Sequence, residues 1–299
     1  MTSRLFRLLG PIICCLVLIL SAVKLTAADN RGLIFLVEDD SGRKMYLTGS
    51  FHVATPDFYP LSPAIVSAFA EADNLIVEMD VTALTPQESL NIFSEGFNPK
   101  TITLSSQLTP ETLRVLSEVE LPESLFVFLE TLRPWMAAIT IEALSLTKLG
   151  FLDTYGLDTY FIKAAKTRAL PISELESPQE QVKLFTDMSD LEQDLYLRST
   201  LLELKEPIHP IEKYKAFWQA GDHESFYASM KDAEFKNPEL AVVFDRIIYQ
   251  RNKSLTDRLL PFFHRPGRVY FSLVGAAHLV GPLGIPTLFR EAGFKVTQL

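Results

Sequence analysis

Two Gly-x-x-His strings constrain this chain more than any other feature, one near each end. Gly49-Ser50-Phe51-His52 closes the apolar run 44–48, and Gly275-Ala276-Ala277-His278 closes the apolar run 268–274. In both, a strand-like segment runs into a glycine and delivers a histidine just past the strand end. Open α/β sheets build their sites at that edge, outside the carboxyl ends of the strands. Only five histidines occur in 299 residues, and two of them share this setting. The chain reads as one that brings two imidazoles to a single sheet edge.

The elements between the two strings follow from periodicity and punctuation. Residues 32–37 and 44–49 read as a hairpin across Asp39-Asp40-Ser41-Gly42. Ser62-Pro63 is a cap followed by proline in the first turn, so a helix is expected over 64–72. The apolar, β-branched run 74–81 reads as a buried strand. Strand, helix and strand in so short a span suggest a βαβ unit. The middle reads as helical over 85–94, 109–119 and 122–149, with Pro134 splitting the third stretch, and again over 157–166. A short strand is expected over 170–175, then helices over 178–204, 211–220 and 238–263. Gly221-Asp222 marks a further helix start before His223. The end returns to strand (269–274), helix (285–292) and strand (294–297), with Gly293 as the helix stop. The expected fold class is α/β (α+β): a central mixed β-sheet built from N- and C-terminal strand–helix–strand units, with a large helical middle section covering it. The two glycine–histidine units read as two copies of one idea, in a single domain closed by its own termini.

The first 28 residues differ from the rest. Arg4 and Arg7 precede an apolar stretch from Leu8 to Leu20, and Leu25-Thr26-Ala27-Ala28 offers small residues for cleavage. This reads as a cleaved secretory signal, which makes the protein periplasmic or secreted. A membrane would be met only through this segment left uncleaved. Both cysteines, Cys14 and Cys15, lie inside it, so the remainder has no disulfide, and a metal site there must use His and carboxylate. The net charge is −9, and residues 1–28 hold three cations and no acid, which leaves −12 on residues 29–299. A body this acidic excludes nucleic acid as a partner.

Chemistry concentrates in His52, Glu78 and His278. Glu78 interrupts a buried-strand pattern, and a carboxylate in that setting needs a partner. A lone histidine in either setting would read as a strand cap bonded to a neighbouring loop. Two in matching settings, with a strand carboxylate, read as one joint site. Neutral imidazoles and a carboxylate suit zinc, manganese or cobalt and leave positions open for water or substrate. Gly49 and Gly275 would let the backbone turn tightly or a ligand approach. Spacing gives no local metal signature: His223-Glu224 starts like a zinc-helix motif, but Tyr227 stands where the second histidine belongs. His209 reads as a loop residue and His264 as a helix-end cation. No Gly-x-Ser-x-Gly elbow and no phosphate-binding glycine string is present. Asp158 is a helix cap or a site acid, Glu176 follows a strand, and Arg251-Asn252 lies within a helix; all are supporting candidates.

The ordered set Leu47-Thr48-Gly49-Ser50-Phe51-His52-Val53, Leu75-Ile76-Val77-Glu78-Met79-Asp80, Arg133-Pro134-Trp135, Gly156-Leu157-Asp158-Thr159-Tyr160-Phe161, Glu174-Leu175-Glu176-Ser177, Glu180-Gln181, Gly221-Asp222, Arg251-Asn252 and Val274-Gly275-Ala276-Ala277-His278 resembles the TraB/PrgY/GumN family, its GumN-like branch most closely. The superfamily includes the Tiki metalloproteases and looks related to erythromycin esterases and to a haem-linked iron-uptake protein. The resemblance implies one such domain over residues 29–299. It implies a sheet core under helices, with His52, Glu78 and His278 as active centre and metal ligands, and peptide hydrolysis with manganese or cobalt. The expectation is therefore an exported metal-dependent hydrolase of peptides, with a peptide or small molecule as partner. Two alternatives stand beside it: a non-catalytic periplasmic binder of peptide, pheromone or haem, and a metal-free esterase with one histidine as general base.

Overall fold

The computed structural model describes residues 31–265 and 267–299. The signal segment expected over residues 1–28, with both cysteines, lies outside the described residues. Among the described residues no helix is long and apolar enough to cross a membrane.

Six strands form one mixed sheet: β1 (Ile34–Glu38), β2 (Lys44–Ser50), β3 (Asn74–Val77), β4 (Ile172–Glu174), β5 (Tyr270–Gly275) and β6 (Lys295–Gln298). Their spatial order is β4-β3-β5-β2-β1-β6. The β1–β2 hairpin is antiparallel, with Ile34 opposite Thr48 and Glu38 opposite Lys44. Gly42 takes the left-handed conformation its turn requires. β5 lies between β2 and β3 and runs parallel to both, pairing Ser50 with Gly275 and Val77 with Leu273. β4 continues the parallel set with Val77 opposite Glu174. Four adjacent strands, β4, β3, β5 and β2, thus end at one edge. The N- and C-terminal units are not copies side by side: β6 pairs with β1, four places from β3.

Local signals set the helices. Ser62 Oγ accepts the Ile65 N–H at 3.3 Å and starts the helix Pro63–Glu71. Pro134 cannot continue the preceding turn, so the helical run splits into Glu123–Leu129 and Pro134–Lys148. The single long helix expected over 178–204 is two, Pro178–Thr186 and Asp190–Glu203. Ser189 and Glu192 form a capping box there, and Ser177 with Glu180 another. The stretch after Pro238 holds a π-helical segment, Asp245–Tyr249, before the helix Gln250–Leu259. Sequence period does not report such a segment, which inserts a residue and re-aims the helix after it.

The sheet's apolar faces carry the main core. Phe69, Phe161 and Phe271 meet edge-on or tilted with centroids 4.9–5.4 Å apart. The helical middle closes on a second cluster that includes Leu104, Leu129, Trp135, Leu197 and Leu201. Both cores leave the carboxyl edge of the parallel strands to polar residues.

Candidate active site

Each of the four parallel strands delivers one side chain past its carboxyl end: His52 after β2, Glu78 after β3, Glu176 after β4 and His278 after β5. The strand expected over 74–81 stops at Val77, because the Glu78 carbonyl turns to accept the Leu175 and Glu176 N–H groups. Glu78 is thereby freed from the ladder and points into the edge.

Arg251 lies at the centre of this group. Its Nη2 donates to Glu78 Oε2 at 2.7 Å and to Glu176 Oε2 at 2.6 Å, and its Nε donates to Glu176 Oε1 at 3.1 Å. Nη1 donates to His278 Nε2 at 3.2 Å and, weakly, to the Ile247 carbonyl within its own helix at 3.5 Å. Arg251 emerges from the first turn after the π segment. Supporting bonds hold each partner. Gly275 N–H donates to Glu78 Oε1 at 2.7 Å, and Gln181 Nε2 donates to Glu176 Oε2 at 3.2 Å. Asn252 Nδ2 donates to the Leu283 carbonyl at 2.8 Å, which leaves Asn252 Oδ1 to accept from His278 Nδ1 at 2.5 Å. That chain fixes the His278 tautomer: the proton sits on Nδ1, and the Nε2 lone pair faces the guanidinium.

Electrostatics follow from this geometry. Burial pushes the His278 ring down against the pull of Glu78, with the charges of Arg251 and His52 assisting, so it titrates at about 4. Burial would raise Glu78, but His278, Arg251 and His52 and the Gly275 N–H more than offset it and hold the carboxyl at about 2.

His52 stands apart. Its Nδ1 pairs with Asp158 Oδ2 at 3.0 Å, and its side chain is 67% open. The Asp158 carboxylate raises its pKa against the opposing cost of burial, with Glu78 assisting, to about 9. Asp158 is the pairing acid rather than the cap: the helix Leu157–Thr167 starts from Gly156. Gly156 allows a close approach, since a Cβ there would lie 2.1 Å from the His52 carbonyl oxygen. His52 Nε2 has no partner among the described residues.

Gly49 and Gly275 are not in the left-handed region. Gly275 contributes its N–H, and a Cβ on it would make only ordinary contacts, at 3.4 Å to His278 and 3.5 Å to Glu78. Gly49 gives its carbonyl to Trp218 Nε1 at 2.8 Å. Glu142, half-buried on the helix Pro134–Lys148, was not among the expected residues. Burial raises its pKa while the charge of His52 lowers it, which places it near that ring. Its signal was a carboxylate breaking the apolar run Ile139-Thr140-Ile141-Glu142-Ala143-Leu144.

The expected ligand set of His52, Glu78 and His278 does not form as such. Among the described residues no group of three His, Cys, Asp or Glu side chains is placed to hold a metal ion. His52 is held through Nδ1 by Asp158, and among the described residues no hydrogen bond joins its ring to Glu78 or His278. The Nε2 lone pair of His278 and both oxygens of Glu78 are already engaged. As arranged, the Arg251 guanidinium holds Glu78 and His278 while His52 pairs with Asp158, so these three do not fit manganese, cobalt or zinc as one ligand set.

The chain matches the TraB/PrgY/gumN family over residues 33–298. It belongs to that family. Among its relatives is the uncharacterised protein YbaP of Escherichia coli (strain K12), 28% identical over 250 residues, spanning 83% of this chain and 88% of the relative. The YbaP of Shigella flexneri matches to the same extent. Neither name carries an activity. No solved structure matches the chain.

Proposed function

We propose that this family member is an exported hydrolase of carboxylic esters or amides, peptides included, in which His52 and Asp158 form the proton-transfer pair. One observation carries the reading: His52 is anchored through Nδ1 by a carboxylate while its exposed ring leaves the other nitrogen without a partner among the described residues, at the carboxyl edge of the sheet. The Asp158 carboxylate holds one proton on Nδ1, so once the pH passes about 9 the ring is neutral and takes a proton from water at Nε2. The hydroxide attacks the carbonyl carbon, the C–O or C–N bond breaks, and the proton passes from Nε2 to the departing oxygen or nitrogen. Arg251, saturated by Glu78, Glu176 and His278, keeps that neighbouring group in place rather than contacting substrate. Of the three functions expected from sequence, this favours hydrolysis without a metal ion. Export rests on the signal-like residues 1–28.

The test is turnover of a peptide, ester and lactone panel by the purified protein, with and without chelator. Activity that survives chelation and is lost in His52→Ala supports the proposal. Activity that needs added manganese, cobalt or zinc returns the metal-dependent peptidase. Tight ligand binding without turnover returns the binder.

A further inference from the structure

We propose that Arg251 is a built-in cation seated in a donor set that would otherwise take a divalent transition-metal ion, so that the native chain excludes the ion and loss of the guanidinium admits one. This centre lies beside the hydrolytic pair, and the ion is counted without substrate, so either reading can fail alone.

Glu78, Glu176 and His278 Nε2 approach the guanidinium from three adjacent parallel strand ends, at 2.7, 2.6 and 3.2 Å. Two carboxylates and a neutral imidazole are an ordinary ligand set for zinc or cobalt. Each donor is also oriented from behind: Asn252 on His278 Nδ1, Gly275 N–H on Glu78 and Gln181 on Glu176. Metal sites use the same second layer to aim their ligands. With Nδ1 held by Asn252 Oδ1, the imidazole turns its Nε2 lone pair inward, which is the orientation a metal needs.

Arg251 explains why no ion site forms. Two buried carboxylates side by side require a cation, and the guanidinium supplies it with a fork matched to their planes. Its bulk spaces the donors beyond bonding reach of one ion: a metal wants about 2.0–2.2 Å to each. Removing the side chain leaves the carboxylates uncompensated and the centre vacant. A plain structural ion pair predicts otherwise: its loss would destabilise the protein and create no affinity.

The experiment compares the native protein with Arg251→Ala, both purified without chelator. Elemental analysis of the native protein should find far less than one ion per chain, and cobalt(II) titration should find no saturable site. Arg251→Ala should take up one cobalt(II) per chain, with visible d–d absorption and a raised melting temperature. Adding Glu176→Gln to that variant should abolish the absorption. Should the alanine variant fail to fold, Arg251→Met keeps the stem's packing and carries the same test. One ion per native chain, or a folded Arg251 variant that takes up none, overturns the proposal.

Discussion

Burial of a neutral His278 makes the site acid-labile, and the size of the effect follows from the structure. The ring is 4% exposed, donates to Asn252 through Nδ1 and accepts from Arg251 at Nε2. A second proton on Nε2 would face the guanidinium, so the folded state resists it. Its pKa falls from 6.5 to about 4. A folded pKa below the unfolded one means that the stabilisation is present above pH 6.5 and drains away as pH falls toward 4. At about 1.4 kcal/mol per unit the total is about 3 kcal/mol, of which about 2 kcal/mol is gone by pH 5. Other groups titrate in this window, so the measurement is a difference. Urea unfolding of the native protein and of His278→Gln, which cannot titrate, is compared at pH 7.5 and pH 5. The variant is less stable at pH 7.5, and the gap should narrow by about 2 kcal/mol at pH 5. Parallel pH profiles would refute the reasoning, because they would mean that His278 titrates alike in the folded and unfolded chains.

Three further outcomes test the geometry around this centre. Asp158→Asn removes the main cause of the raised His52 pKa, so the ring's titration by NMR should move from near 9 toward 6.5, and the activity limb with it; an unmoved titration would show that Asp158 is not the cause. Gly156→Ala places a Cβ 2.1 Å from the His52 carbonyl oxygen, so thermal unfolding should register a loss of about 1–3 kcal/mol, and a neutral result would refute the close approach. Glu176→Gln removes the carboxylate charge and one of its two acceptor oxygens facing Arg251 and should cost about 3 kcal/mol in urea unfolding, the low end for a broken buried pair because Glu78 remains.

The sheet edge was legible in sequence for a physical reason. Parallel strands share one polarity, so residues just past their ends must meet at one side however far apart they lie in the chain. That brought out His52, Glu78 and His278, and Glu176 as a follower of β4. Cap chemistry at Ser62 and the break at Pro134 were equally local and readable. The break at Ser189 was just as local; the capping box Ser189-x-x-Glu192 was the signal, and the apolar period running through it hid it. The π segment had no local signal, because it shifts which face Arg251 presents without changing composition.

The partner of each donor is the part no spacing encodes. His52 and His278 occupy matching strings, yet one is open, paired with a carboxylate and titrates near 9, while the other is buried, paired with an amide and titrates near 4. The difference comes from Asp158 and Asn252, which lie on helices 106 and 26 residues away from their respective rings. Residue types alone made the two imidazoles look like equivalent ligands of one ion. Their environments push them in opposite directions, which is what a site needs if one ring is to move protons and the other is to stay fixed. Arg251 supplies the rest of that asymmetry: it neutralises the buried carboxylates and faces the lone pair of His278, while His52 Nε2 remains free to meet a substrate.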